Sequence, residues 1–284
     1  MAGLIRYNNA DVVVDTQKVV TSTWSNNTNN LQTSHTSSTQ ANLGSPTSSG
    51  AFYIEVYNAV TSSTSAAVQY AAAYGHKEGS GSQDFTNDVG AYGNSPSRVI
   101  YNQYRQLVFG DETSNFSFDG HTPDDIYVIN TNRARFKQNL KPGSLDFKLS
   151  GSGLGLLELT DDSVSVTGSS TITNAGRQFN IVSGSGGLRS GSLLTQVTDS
   201  GSYGFFYPDS GFIILNPAAV DHHISELVPG VGAHTADNNH QKLVTAMSGG
   251  ASFIVDSEEK VTSQYYFTRV RNNEFNYTTN PSFT

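Results

Sequence analysis

"YGFFYPDSGFIILNP", Tyr203 to Pro217, is the stretch that decides the fold. Pro208, Asp209 and Gly211 suit a type I turn followed by a left-handed residue, which reverses a chain within a few residues. The apolar runs on either side, Phe205 to Tyr207 and Phe212 to Leu215, are therefore expected as two antiparallel strands. Asn216 then stands where a helix cap belongs and Pro217 at the first helical position, so a short helix should follow at once. A strand pair that feeds a helix implies sheets with packing helices.

Outward from this hairpin the same texture recurs. In "FYIEVYN" (Phe52 to Asn58) the residues Phe52, Ile54 and Val56 share one face, and in "AVQYAAAY" (Ala67 to Tyr74) so do Val68, Tyr70, Ala72 and Tyr74. Period two means strands, and the polar "TSSTS" between them reads as a turn. "SPSRVIYNQYRQLVFG" (Ser95 to Gly110) is the clearest helix, with Ser95 as cap, Pro96 first, a stripe of Ile100, Tyr104, Leu107 and Val108, and Gly110 as the stop. Further strands are expected at Ile126 to Ile129 and Leu145 to Leu149, and a hairpin around Asp256 to Lys260. No period of about 20 to 50 residues repeats, which argues against propellers and solenoids. The expected class is mainly β: β-sandwich-like sheets, one or two short packing helices, and extended N- and C-terminal arms.

Composition agrees. Of 284 residues, 36% are hydrophobic and only 14% are Asp, Glu, Lys or Arg, the remainder being dominated by Ser, Thr, Asn and Gly, which favours strands joined by many turns. The 14 Tyr and 15 Phe supply material for a core. A net charge of −8 without any Lys/Arg block lacks the footprint of a duplex binder, so nucleic acid is not an expected partner. The absence of cysteine excludes disulfides and cysteine-based zinc or thiol chemistry. No run approaches the roughly 20 apolar residues of a membrane span, and "MAGLIRYNNADVVVD" has no signal-peptide core, so membrane insertion is not expected and synthesis in a cytoplasm is.

Four segments follow from this texture. Residues 1–50 hold a strand, Asp11 to Val20, and then a Ser/Thr/Asn/Gln-rich arm anchored by Trp24, Leu31 and Leu43. Such an arm cannot bury enough surface to offset its ordering entropy alone, and the lone Trp24 suggests that it lies on a partner. Residues 51–150 form a β-rich domain with one helix, 151–270 a second, Gly/Ser-rich β domain, and 271–284 a docking tail anchored by Phe275, Tyr277 and Phe283.

Catalytic signatures are missing. There is no G-x-S-x-G elbow, H-E-x-x-H helix or phosphate loop, and the Gly-rich stretches read as turns. The best candidate metal ligands are His222, Glu226, His234 and His240. His222 and Glu226 would share a face of the expected helix, but His223 points elsewhere and the other two sit in a loop, so surface histidines are the plainer reading and neither metal nor cofactor is expected. The acidic pairs Asp124/Asp125, Asp161/Asp162 and Glu258/Glu259 are sequence neighbours that face opposite ways on a strand, which does not supply two carboxyls to one sugar. "DFTND" (Asp84 to Asp88) lacks a defined calcium loop. Arg133, Arg135 and Lys137 would share a face if that stretch were a strand, either as a solvated face that discourages edge pairing or as a patch for an acidic neighbour.

Six stretches together resemble the virion structural proteins of contractile-tailed, T-even-like phages, especially those of marine cyanobacteria. They are "TSTWSNNTNNL", "YAAAYGHKEGSGS", "SPSRVIYNQYRQLVFG", "DIYVINTNRARFKQNLKPGSLDFKLS", "YGFFYPDSGFIILNP" and "YYFTRVRNNEFNYTTNPSF", in matching order and spacing. The resemblance implies a particle component of the tail or baseplate, in several copies, partnered by other tail proteins and without enzymatic activity. It brings no site residues. Proteins of this kind often continue past the "NPSF" motif, so the last segment is expected to take its partner strand from another subunit. The alternatives are a receptor- or glycan-binding tail protein, or a head or neck-collar component.

Overall fold

The computed structural model describes residues 8–36, 53–82, 95–152, 155–165, 170–190, 201–229 and 238–268. His234, Phe275, Tyr277, Phe283 and the whole expected tail lie outside them, as do Leu43 and the side chain of Glu226. Two compact units divide the chain, one of Val20–Glu258 and one of Met1–Val19 with Glu259–Thr284.

In chain order the elements are β1 (Val12–Ser22), β2 (Asn30–Leu31), β3 (Tyr53–Tyr57), β4 (Val68–His76), α1 (Pro96–Phe109), β5 (Asp125–Thr131), β6 (Asn139–Leu140), β7 (Asp146–Ser150) and β8 (Leu156–Asp161). They continue with β9 (Thr171–Thr173), β10 (Gly176–Ser185), β11 (Leu188–Arg189), β12 (Gly204–Tyr207), β13 (Phe212–Leu215), α2 (Pro217–Asp221), α3 (Asn239–Gly250), β14 (Phe253–Ile254) and β15 (Asp256–Tyr266). The protein is mainly β. Where two facing sheets were expected, twelve strands form one antiparallel sheet in the order β2-β14-β7-β8-β10-β12-β13-β5-β4-β3, with β9 and β11 paired to β10.

The β12/β13 hairpin sits at its centre. Tyr207 pairs with Phe212 and Gly204 with Leu215. Gly211 takes a left-handed φ of 77° and its N–H donates to the Tyr207 carbonyl at 2.8 Å, while a Cβ there would run into the Phe136 ring. Every residue of both strands is buried. Phe205, Tyr207, Phe212 and Ile214 pack into one cluster, whereas Phe206, Ile213 and Leu215 pack into another on the opposite face. β5 divides in the same way, with Ile126 and Val128 on the first side and Tyr127 and Ile129 on the second. A strand covered on both faces needs apolar residues at consecutive positions, which is why these runs do not alternate.

Helix α1 covers the first face. It begins at Pro96 and ends at Gly110, whose φ is 76° and whose N–H donates to the Gln106 carbonyl at 2.9 Å. Ser95 has no side-chain capping bond; its hydroxyl instead donates to the Gly79 carbonyl and fixes the helix entry to a loop. Gly75 on β4 allows the close approach, since a Cβ there would lie 2.8 Å from the Tyr101 amide nitrogen. The buried stripe is Ile100, Tyr101, Tyr104 and Val108, so Tyr101 is inside and Leu107, expected there, is 42% exposed.

On the second face α3 packs against both β7 and β4, strands far apart in the sheet order. The sheet therefore curls around it. Trp24 closes the seam: its indole N–H donates to the Phe253 carbonyl at 2.7 Å, its ring centroid lies 4.8 Å from Phe253 and 6.3 Å from Tyr70, and Tyr70 lies 5.4 Å from Phe253. Phe253 belongs to β14, second from one end of the sheet, and Tyr70 to β4, second from the other.

Several expectations need correction. β7 and β8 pair from Asp146 with Thr160 to Ser150 with Leu156, so the change of texture at Ser150 is a hairpin inside one sheet and the two β domains are one. The hairpin expected around Asp256 to Lys260 is one continuous strand. Arg133–Arg135 is a 3-10 turn, fixed by the Asn132 side chain, which accepts from the Ala134 N–H at 2.9 Å. Helix α3 was not foreseen because it follows a stretch that reads as loop, although Leu243, Val244 and Met247 have helical spacing.

Candidate functional site

The smaller unit contains a two-stranded ribbon with large apolar side chains in solvent. Strands β1, "VVVDTQKVVTS", and β15, "DSEEKVTSQYY", are neighbours in a second sheet of order β1-β15-β6. Thr16 Oγ1 lies 3.2 Å from Thr262 Oγ1, and the Phe267 N–H donates to the Asp11 carbonyl at 2.8 Å. The strands therefore run antiparallel, with Thr16 opposite Thr262 and Asp11 opposite Phe267. That register sets Val13 across from Tyr265 and Val12 across from Tyr266.

Valines and aromatic residues favour a pleated strand, which is why this polar sequence makes a ribbon at all. They are not covered. Val13, Val14 and Val19 on one strand and Val261, Tyr265 and Tyr266 on the other are exposed, Tyr265 and Tyr266 to 54% and 56%, and Phe267 beyond them is 58% exposed. Apolar side chains stand on both faces of the pleat, since Tyr265 and Tyr266 are consecutive. β1 is the edge of its sheet among the described residues. Its backbone edge can take a further strand, and the ribbon's faces can take a packing partner.

Of the residues expected to dock partners, Trp24 is 2% exposed and closed inside its own chain, so it is a core residue and does not dock. Neighbouring Ser25 exchanges hydrogen bonds with Gln69 on β4, so through residue 36 the described part of the arm lies on its own chain. Arg133, Arg135 and Lys137 share no strand face. The Arg133 guanidinium turns back to the carbonyls of Phe136 and Lys137 and over the Phe136 ring, Arg135 reaches the Ser25 hydroxyl, and Lys137 donates its backbone N–H to Ser257.

The histidine grouping also disperses. α2 ends at Asp221, so His222 is its C-cap, and the Glu226 backbone belongs to a separate turn, Ser225–Leu227. His222 is exposed; His223 is buried with Nε2 2.8 Å from the Tyr203 hydroxyl, and burial holds it below the usual histidine range. Burial pulls His240 down to about 4. Among the described residues, no three His, Asp or Glu side chains gather to hold an ion.

The pair Asp124/Asp125 does divide as strand neighbours should. Asp124 meets Lys77 at 2.6 Å near the surface, whereas Asp125 accepts from the Tyr74 hydroxyl at 3.0 Å. Burial, reinforced by Asp124 and Asp221, pushes the Asp125 carboxyl up to about 6, and burial raises the Tyr74 phenol as well. This half-buried carboxyl is therefore held protonated to a higher pH than an ordinary aspartate. Sequence reading missed it because the Tyr74 and Asp125 side chains meet only through the pairing of β4 with β5.

Among the described residues no helix is long and apolar enough to cross a membrane. Comparison with protein-family models, curated proteins and solved structures found no match.

Proposed function

We propose that this chain is a non-enzymatic structural subunit of a contractile-tailed bacteriophage particle, placed in the tail or baseplate. In this reading the β1/β15 ribbon joins it to neighbouring tail proteins. The carrying observation is the ribbon itself, with Val13, Val14, Tyr265, Tyr266 and Phe267 in solvent. A two-stranded ribbon is at best marginally stable alone in water, and each large apolar side chain gains about 1.5–3 kcal/mol on full burial, so a partner strand or surface would stabilise it strongly. The six stretches that resemble phage virion proteins indicate which assembly supplies that partner. The chain would then act in several copies, by protein contacts alone, at the particle.

The test is a phage carrying Tyr265→Ser and Phe267→Ser. The isolated variant should fold with stability within about 0.5 kcal/mol of the parent, because both positions are exposed. Its copy number in purified particles, counted by quantitative mass spectrometry, should fall by about tenfold or more, since each 1.4 kcal/mol of lost contact is tenfold in affinity. Unchanged incorporation overturns the docking role. Antibody-gold labelling at the distal tail supports the baseplate, label on the head or neck moves the same docking to another assembly, and particles without label sink the structural reading.

A further inference from the structure

A second feature belongs to the larger unit, on the sheet face beside α1. There β3, β4 and β5 form the floor of an open groove of about 580 Å³, and α1 forms its wall. Strand pairing puts the floor in rows. Tyr53, Ala73 and Val128 stand side by side, and so do Glu55, Ala71 and Asn130. Ala73 and Val128 are buried, leaving a shallow apolar floor flanked by the 43% exposed Tyr53 ring. Gln103 projects from α1, and Asn132 and Arg133 close the end beyond β5.

We infer that this groove binds a neutral oligosaccharide. Among the described residues that line it, the charged side chains are Glu55 and Arg133, of opposite sign, and both are engaged: Glu55 accepts from the Tyr57 hydroxyl at 2.8 Å, and Arg133 is bound to two backbone carbonyls. No net charge remains to select an anion or a cation. What faces the space is a set of carboxamides, Gln103, Asn130 and Asn132; the Asn132 oxygen already accepts from the Ala134 N–H, so it offers chiefly its NH2, while Gln103 and Asn130 each carry a donor and an acceptor in one plane, as sugar hydroxyls require. The Tyr53 ring offers an apolar face with a polar tip, which suits the C–H face of a pyranose, as the alanine floor does. The volume falls within the roughly 300–1,000 Å³ of small-ligand sites. A peptide strand is the weaker fit, because at Tyr57 the outer edge of β3 already exchanges two backbone hydrogen bonds with His35.

The test uses the whole chain and four neutral probes, maltohexaose, cellohexaose, mannohexaose and N-acetylchitohexaose, followed by saturation-transfer NMR and calorimetric titration. At least one should bind with a Kd of about 1 mM or tighter. Tyr53→Ala and Gln103→Ala, both at exposed positions, should each weaken that binding by about tenfold while leaving the melting temperature unchanged. No saturation by any of the four probes at about ten times that concentration overturns the inference. Binding that survives both substitutions also overturns it, because the site would then lie elsewhere. Neither result bears on particle incorporation, which the ribbon variant tests separately.

Discussion

The β12/β13 hairpin and the β1/β15 ribbon are both pairs of antiparallel strands that carry large apolar side chains, at nearly every position in the first and interspersed with polar residues in the second, yet one is closed from solvent on both faces and the other is open on both. Phe206, Ile213 and Leu215 are buried because they share a cluster with α2 and α3, and Phe205 and Phe212 because they share one with α1. No helix of the smaller unit covers Tyr265 or Tyr266 among the described residues. Apolar content thus sets which segments become strands, while the elements packed above them decide whether a strand stabilises its own chain or is left for another.

The comparison can be broken most severely at Phe206. Phe206→Ala removes a fully buried ring and should lower the unfolding free energy in urea by about 3–5 kcal/mol, against the near-zero change expected for Tyr265→Ser with Phe267→Ser in the isolated chain. Similar losses at the two sites would mean that the ribbon is packed in solution. At the seam, Trp24→Phe keeps an aromatic ring but leaves the Phe253 carbonyl without its indole donor, so a loss of about 1–3 kcal/mol is expected by the same titration. A loss below about 0.5 kcal/mol would remove Trp24 as the closure of the curl.

Asp125→Asn gives a smaller change than either core substitution, and one of opposite sign. The folded-state pKa of Asp125, about 6, lies above the unfolded value of roughly 3.9, so the stability this group contributes is fully present below that lower value. That contribution is lost as pH rises through about 4 to 6, and little more is lost above. The asparagine still offers an oxygen to the Tyr74 hydroxyl but carries no charge. It should therefore remove that pH dependence and raise stability at pH 7 by about 1–2 kcal/mol, measured by urea titrations across pH 4 to 8. An unchanged pH profile would show that the carboxyl is solvated.

Much of the fold was legible. The Pro208 to Gly211 turn, the period of β3 and β4 and the Gly110 stop of α1 are fixed by residues within a few positions of one another, where turn and capping chemistry act. Candidate sites were less legible, because each depends on residues far apart in sequence. Tyr74 meets Asp125, and Glu55 stands two strands from Asn130, only once β3, β4 and β5 are paired. The exposed valines of β1 read as ordinary strand material, and nothing local to them tells whether a helix will cover the pleat.

By itself, then, the sequence determined a mainly β chain with turns at defined glycines and no cysteine chemistry, since backbone preference and side-chain inventory are local properties. Only the tertiary structure decided that Ser150 lies in a hairpin, that Trp24 seals a curled sheet, and that the terminal strands stand uncovered, because burial belongs to pairs of elements brought together across the chain.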